Sequence, residues 1–138
     1  MIIAERYHDI CCGHRVVGHE NKCKNLHGHN YRFEFKVTGE LDDLGRVIDF
    51  GVIKTLLCDW LEEHYDHKFL IWEEDPFLES LKSLSEESLV IVPYNPTAEN
   101  IADDFLRNKA PRLLKETGTE LIELRLWETR KCCVTVKL

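Results

Sequence analysis

Polar and apolar residues alternate along a stretch in the N-terminal third of the sequence. Tyr31, Phe33, Phe35 and Val37 share one side of this pattern, with charged or hydroxyl residues between them. Alternation with a period of two predicts a β-strand that has one buried face. An earlier strand around residues 2–10 would pair naturally with it. The two strands would form a hairpin, joined by a long loop rich in histidine and cysteine, and such a loop is commonly functional.

Two later segments carry apolar residues at helical spacing. Asp49 is suited to cap the first helix. The apolar stripe of that helix consists of Val52, Ile53, Leu56, Leu57, Trp60 and Leu61. The second helix begins after Thr97. Its apolar positions are Ile101, Phe105, Leu106 and Leu113. Between the two helices, the charged residues 73–87 predict an exposed insertion or a short helical segment.

Two more alternating stretches, residues 122–128 and residues 134–138, lie at the C-terminal end of the sequence. Residues 129–131 are suited to the turn between them. The resulting order is strand, strand, helix, helix, strand, strand. This order predicts an α+β fold in which an antiparallel sheet carries the helices on one face. No linker or repeat divides the chain, so we expect one domain over residues 1–138.

Composition narrows the possible functions. The net charge of −7 argues against a broad nucleic-acid surface, although a local basic pocket for a small anion is compatible with it. No apolar run is long enough for a membrane span, and no secretory signal precedes the first strand. The six cysteines include two pairs of sequence neighbours, which suits a disulfide framework poorly. We therefore expect reduced thiols in a cytoplasmic protein without a membrane or nucleic-acid partner.

His27 and His29 are candidate metal ligands. In an extended chain, residues two apart point the same way, so both imidazoles can approach one ion, and Gly28 adds no bulk between them. A third ligand must come from elsewhere, and the spacing leaves both His14 and His19 open. Three neutral imidazoles with one open position form the arrangement of a catalytic zinc site.

Two other interpretations of these residues remain open. Seven histidines among 138 residues are enough for a pair at this spacing to arise by chance on an ordinary surface. A structural zinc site would instead use Cys11, Cys12 and Cys23, although adjacent cysteines fit the spaced pairs of such sites poorly.

Three residues are candidates for proton transfer. Cys23 lies near the histidine pair, where a dication would favour its thiolate; the alternative is a small buried apolar residue. Asp66 and His67 follow the first helix, where a carboxylate can orient an imidazole and hold its charge. Because the two are neighbours in the chain, we do not expect a direct bond between their side chains. A solvated helix end is the alternative for this pair.

Three further residues are candidates for substrate binding. Glu128 ends a strand whose inward face is apolar, where a carboxylate can accept paired N–H bonds from a guanidine-like heterocycle. The alternative is a strand end that faces solvent. Thr97 and Glu99 are interpreted first as residues that start a helix.

The candidate residues occur in a defined order. The ordered set consists of Gly13, His14 and Arg15; Cys23, His27, Gly28 and His29; Asp66, His67 and Lys68; residues 96–100; and Trp127, Glu128 and Thr129. This set spans nearly the whole chain and resembles the 6-pyruvoyltetrahydropterin synthase family. It looks most like the bacterial branch of that family, the 6-carboxytetrahydropterin synthases of queuosine biosynthesis.

The resemblance implies a fold, an assembly and a set of roles. The fold would be the tunnelling fold (T-fold), and the assembly would be a homo-hexamer of two stacked trimers with active sites between subunits. The Zn²⁺ ligands would be His14, His27 and His29. The catalytic residues would be Cys23 as general base and Asp66 with His67 as its acid/base partner. The substrate-binding residues would be Glu128, Thr97 and Glu99.

The resemblance also implies an activity. The enzyme would be a zinc-dependent carbon–oxygen lyase that converts 7,8-dihydroneopterin triphosphate to 6-carboxytetrahydropterin, acetaldehyde and triphosphate. A rival function is the sister reaction, which yields 6-pyruvoyltetrahydropterin and also uses the cysteine. A second rival is a noncatalytic zinc-binding protein, in which Cys23 would have no role.

Overall fold

Six strands and three helices make up the fold in a computed structural model that describes residues 1–138. The strands are β1 Ile3–His14, β2 His27–Gly39, β3 Phe69–Trp72, β4 Leu89–Val92, β5 Thr119–Trp127 and β6 Cys133–Lys137. Helix α1 consists of the consecutive segments Phe50–Ile53, Lys54–Cys58 and Asp59–His64. Helix α2 is Leu78–Ser85. Helix α3 consists of Ala98–Asp104, Phe105–Lys109 and Ala110–Leu113.

All six strands belong to one sheet, in the order β4-β3-β1-β2-β5-β6. The four strands predicted from the sequence, β1, β2, β5 and β6, are antiparallel neighbours. The α+β fold is confirmed, but the sheet is mixed rather than purely antiparallel, because β3 runs parallel to β1 and β4 runs parallel to β3. A parallel pair needs a crossover connection, and residues 73–88 with helix α2 supply it.

The first hairpin is longer than the alternation of apolar residues predicts. Strand β1 continues to His14 and strand β2 begins at His27, so that only residues 15–26 form the connecting loop. The ladder runs without interruption from Ile3 opposite Thr38 to His14 opposite His27. The histidines that the prediction placed in a loop therefore lie on regular strands, which fixes the direction of their side chains.

The core lies between the inward face of the sheet and helices α1 and α3. Phe33 and Phe35 of β2 pack on Phe105 of α3, with ring centroids 5.8 and 5.5 Å from it. The predicted caps are present: the Asp49 side chain accepts a bond from Gly51 N, and Thr97 caps α3. None of the helices has both the length and the apolar character needed to cross a membrane.

The opposite face of the sheet is polar. Arg32 on β2 makes two hydrogen bonds to Asp9 on β1, of 2.8 and 3.1 Å, and its guanidinium lies 4.0 Å from the centre of the Tyr7 ring. Trp127 donates from its indole nitrogen to Glu34 at 2.9 Å. Alternation along β1 and β2 thus separates a polar outer face from an apolar inner face.

Replacing Phe105 by alanine tests this description of the core. The side chain is fully buried, so Phe105→Ala should lower the free energy of unfolding by about 3–5 kcal/mol. The control is Leu84→Ala, because Leu84 is 80% exposed on α2 and its loss should change stability by less than about 0.5 kcal/mol. Urea denaturation measures both, and equal destabilisation would contradict the assignment of Phe105 to the core.

Candidate active site

Three histidines share the inward face at the end of the β1–β2 hairpin. His14 lies directly opposite His27, and His29 follows two residues later on the same face. One ring nitrogen from each of the three lies within 4.8 Å of the other two. No other histidine, cysteine or carboxylate side chains come together in such a group. The hairpin register therefore gathers three potential metal ligands from two strands.

Backbone carbonyls set the direction of two of these imidazoles. His14 donates from Nδ1 to the carbonyl of Pro96 at 2.6 Å, and His27 donates from Nδ1 to the carbonyl of Asn25 at 2.7 Å. Because a carbonyl only accepts, Nδ1 carries the proton in both rings and Nε2 presents a lone pair. The Nε2 atoms of His14, His27 and His29 are all buried without a hydrogen-bond partner. Unpartnered ring nitrogens that face one another fit a bound divalent metal ion.

Burial favours the neutral form of two of these histidines, His14 and His29. Burial lowers the pKa of His14 to about 4, and the nearby rings of His27 and His29 act in the same direction. Burial also lowers the pKa of His29, against the opposing effect of the Glu128 carboxylate. Metal ions bind the neutral form of imidazole, so burial prepares these rings as ligands.

Glycines allow close packing around the far side of the cluster. Gly13 and Gly28 lie opposite each other in the ladder, between the histidine positions. A Cβ atom on Gly13 would lie 2.6 Å from Cδ2 of Phe69, and one on Gly28 would lie 3.0 Å from the carbonyl oxygen of Cys12. The bare backbone of Gly13 lets β3 pack against the end of the hairpin.

The other proposed ligands do not join this group. His19 is in the loop, where Nδ1 accepts a bond from Asn21 N at 2.9 Å. The Cys11 thiol is exposed and donates to the Asn30 side chain at 3.0 Å. Burial raises the pKa of Cys12 to about 12, which keeps this thiol protonated. The structure thus brings His14, rather than His19 or a set of cysteines, to the two histidines of β2.

Glu128 faces the histidine cluster from the end of β5. Its carboxylate oxygens lie 3.8 Å from Nε2 of His14 and 3.5 Å from Nε2 of His29. About a quarter of the side chain is exposed, at 26%. The carboxylate therefore borders the open side of the cluster, where it can meet a ligand as well as the two imidazoles.

Tyr31 belongs to this site, although sequence reasoning assigned it to the core. Its ring lies edge-on to the rings of His14 and His29, with centroids 5.8 and 5.4 Å away. Its hydroxyl is buried and has no hydrogen-bond partner. Burial is the main cause that raises the pKa of Tyr31. The ionisable groups of Cys12, Glu128 and Cys23 act in the same direction with smaller effects. Position 31 continues the alternation of His27 and His29, and this signal could have found it.

Cys23 lies on a short helical turn in the loop, Lys22–Lys24, and is half-buried. It is close enough to the phenol of Tyr31 for its charge to raise the pKa of Tyr31. The backbone amide of Val16, two residues after His14, donates to the carbonyl of Cys23 at 2.7 Å. This bond fixes the backbone of Cys23 next to the end of β1, where His14 lies.

Asp66 and His67 lie along the outer edge of β1. Asp66 accepts from the amide of Cys11 at 2.8 Å, and the amide of His67 donates to the Cys11 carbonyl at 2.6 Å. Contrary to our expectation, the two side chains bond directly, with His67 Nδ1 2.7 Å from the Asp66 carboxylate. The reason is the left-handed backbone of His67, with φ of 61°, which turns the ring back toward its neighbour.

This pair does not meet the histidine cluster within one chain. Burial alone would raise the pKa of Asp66, but hydrogen bonds from Cys11 and His67 lower it below its usual value. The carboxylate therefore stays charged and holds the imidazole. The His67 side chain is 80% exposed and contacts neither Cys23 nor the three histidines through a hydrogen bond.

Residues 95–100 connect helix α3 to the cluster. The Asn95 amide pairs with both backbone groups of Val17, at 3.0 Å each, and the next carbonyl, of Pro96, orients His14. The Thr97 hydroxyl accepts from Asn100 N at 3.1 Å, and Glu99 is exposed in the first turn of the helix. Helix-start chemistry thus accounts for the observed bonds of Thr97.

Known proteins resemble the chain along its whole length. The sequence profile described as 6-pyruvoyl tetrahydropterin synthase matches residues 3–138. The 6-carboxy-5,6,7,8-tetrahydropterin synthase of Rickettsia typhi is 36% identical over 138 residues, covering 99% of this chain and 100% of that protein. The Aquifex aeolicus protein of the same name is 36% identical over 121 residues, covering 79% of this chain and 72% of that protein.

Solved structures share the fold. An uncharacterized protein of Wolinella succinogenes superimposes with a TM-score of 0.84 at 24% identity, covering 99% of this chain and 97% of the other. The 6-pyruvoyl tetrahydropterin synthase of Plasmodium vivax superimposes with a TM-score of 0.71 at 20% identity, covering 99% and 98%.

The fold and the site together define an α+β protein of the T-fold class, with three histidines able to hold a metal ion. The profile match over nearly all residues shows which family of this class it is. The chain belongs to the 6-pyruvoyl tetrahydropterin synthase family.

Removing one histidine tests the metal site. His14→Ala leaves two imidazoles on β2, so we expect metal affinity to fall by at least about 100-fold. His19→Ala is the matched control and should retain one ion per chain. Elemental analysis after dialysis against a weak chelator measures both. Normal metal content in His14→Ala, or equal loss in both variants, would contradict this assignment.

Proposed function

We propose that this protein is a 6-carboxy-5,6,7,8-tetrahydropterin synthase. The substrate is 7,8-dihydroneopterin triphosphate, which reacts with water to give 6-carboxytetrahydropterin, acetaldehyde and triphosphate for queuosine and other 7-deazaguanine products. The observation that carries the proposal is the set of three buried, unpartnered Nε2 atoms facing one another beside Glu128. The names of the relatives from Rickettsia typhi and Aquifex aeolicus support the choice of product.

The metal we propose is Zn²⁺, held by His14, His27 and His29. Three neutral imidazoles from a rigid hairpin are the ligand set of catalytic zinc sites, which keep one position open. When bound, the ion supplies Lewis acidity to oxygen atoms on the side chain of the substrate. Burial of the histidine rings excludes water from the ligand side, and the carbonyls of Pro96 and Asn25 hold the rings in place.

Cys23 acts in this proposal as the general base. Its turn is bonded to Val16, two residues after His14, and the thiolate would accept a proton from a carbon of the substrate side chain. In this proposal the Glu128 carboxylate binds the amino-pyrimidine edge of the pterin through paired N–H bonds, and Thr97 and Glu99 assist in binding the substrate. The ring of Tyr31 packs edge-on against the rings of His14 and His29.

Asp66 and His67 supply the second proton carrier from a neighbouring subunit. The exposure of the His67 ring supports this, because the ring makes no hydrogen bond to the cluster of its own chain and the Asp66 carboxylate holds it at the edge of β1. Only the end of β1, at Gly13 and His14, is paired with β3, and the outer side of β6 is unpaired. Free sheet edges favour assembly through strand pairing. We therefore propose a homo-hexamer in the cytoplasm, with active sites between subunits.

The product assay with a cysteine variant tests the activity. The zinc-loaded protein should release acetaldehyde from 7,8-dihydroneopterin triphosphate. Cys23→Ala should keep its zinc and lose turnover by roughly 100-fold or more, the contribution of one general base. Cys132→Ala, at an exposed position, is the control and should keep normal turnover. A pyruvoyl product without acetaldehyde would contradict the proposed reaction. If Cys23→Ala left every measurable function intact, a noncatalytic zinc-binding protein would be favoured.

Mixing two inactive variants tests the shared site. Cys23→Ala and His67→Ala should each be inactive alone. In randomly mixed hexamers, about a quarter of the sites would combine an intact Cys23 from one subunit with an intact His67 from another. Co-expression should therefore restore activity to that level. If mixed hexamers stay as inactive as the parents, both residues belong to the same chain in each site.

A further inference from the structure

Arg15 is the centre of a buried cluster of side chains next to the site. The proposed chemistry gives this cluster no role. Its Nε and Nη2 atoms donate to the two carboxylate oxygens of Asp75, at 2.7 and 2.9 Å. Its guanidinium lies 3.8 Å from the centre of the Phe77 ring. The side chain of Arg15 is 8% exposed and that of Asp75 is fully buried. A buried bidentate pair of this kind holds a fixed geometry.

The remaining donor of Arg15 points to the turn that carries Cys23. Nη1 donates to the carbonyl of Lys24, the residue after Cys23, at 2.6 Å. One guanidinium therefore bonds to two separate segments, the loop between β1 and β2 and the segment that follows β3. Asp75 is itself held, because its carboxylate also accepts from the amide of Phe77 at 2.8 Å. Arg15 thus ties the Cys23 turn to an anchored partner.

Three consecutive carbonyls, from Cys23 in the turn to Asn25 just after it, accept hydrogen bonds from groups next to the metal site. The carbonyl of Cys23 accepts from the amide of Val16, that of Lys24 from Arg15, and that of Asn25 from the ring of His27. Of these three donors, only Arg15 reaches the turn with a side chain that is not a proposed metal ligand. It is also the only one that links the turn to the crossover between β3 and β4.

We propose that Arg15 is a positioning residue that holds the Cys23 thiol in place relative to the three histidines. Asp75 and Phe77 fix the position of its guanidinium. The hydrogen bond from this guanidinium to the carbonyl of Lys24 then restricts the movement of the turn. The residues between β3 and β4 thereby become part of the active-site support. The inference rests on the proposed function only in giving Cys23 a catalytic role.

The test must separate positioning from simple stability. Arg15→Met alone leaves the Asp75 charge buried without a partner, which is strongly destabilising. The double variant Arg15→Met with Asp75→Leu removes both charges and fills the site with apolar groups, which generally preserves stability. It also removes the donor to the Lys24 carbonyl. A purely structural role predicts that this double variant behaves as wild type, whereas a positioning role predicts a folded protein with a loosened turn.

The main readout is the alkylation rate of Cys23 in the zinc-loaded protein. Cleavage after glutamate releases residues 21–34, in which Cys23 is the only cysteine, so mass spectrometry resolves this site from the other five. In the double variant, we expect unchanged zinc content and a similar thermal midpoint. The alkylation rate should rise on the order of tenfold, because the turn loses a bond from a charged donor. The kcat should fall by about as much, with a smaller change in KM.

The matched control is Arg32→Met with Asp9→Leu. This pair is also bidentate and also stacks on an aromatic ring, but it lies on the polar face of the sheet. It should leave the alkylation rate of Cys23 unchanged. Arg15→Lys serves as a second variant that keeps a buried positive charge for Asp75 but lacks the guanidinium fork, and it should also speed alkylation.

Wild-type alkylation rates in both Arg15 variants would overturn the inference. An equal rise in the Arg32 control would overturn it as well, because the effect would then not depend on contact with the turn. Alkylation and zinc content require no substrate. If the wild-type protein releases no acetaldehyde, the proposed function fails, while the alkylation rates still decide whether Arg15 holds the turn.

Discussion

The antiparallel ladder between β1 and β2 is the constraint on which both the core and the site depend. Its register places His14 opposite His27, and the same inward face continues through His29 and Tyr31 to Phe33. A slip of one residue would turn every side chain of a strand to the other face. Burial of the apolar residues therefore also directs the histidine side chains of β2 to the inward face, because both sets occupy alternate positions of that strand.

Segments distant in the sequence then complete the environment of these histidines. Pro96, at the start of α3, orients His14, and Asn25 of the connecting loop orients His27. Both interactions use backbone carbonyls, which fix the proton on Nδ1 and leave Nε2 toward the cluster. The loop is in turn attached through Arg15 to Asp75. A buried network of this kind reduces the freedom of the site before any ligand binds.

Local patterns predicted a large part of this structure. Alternation identified β2, β5 and β6, and the need of β2 for a hairpin partner identified β1. Helical spacing identified α1 and α3, and the caps at Asp49 and Thr97 were correct. Strands β3 and β4 were missed because their four residues each are uniformly apolar, and a short apolar run has no period that identifies it. Tyr31 was placed in the core because a buried tyrosine on an alternating strand looks the same whether or not it borders a site.

The sequence by itself determined the residue types of the site, the alternation that directs them and the family to which the chain belongs. Only the tertiary structure decided that His14 rather than His19 joins the two histidines of β2, and that Asp66 and His67 lie outside this cluster in their own chain. The physical reason is that alternation and capping are local properties of neighbouring residues. Strand register, parallel pairing and burial depend on contacts between distant residues, and these contacts form only when the whole sheet is assembled.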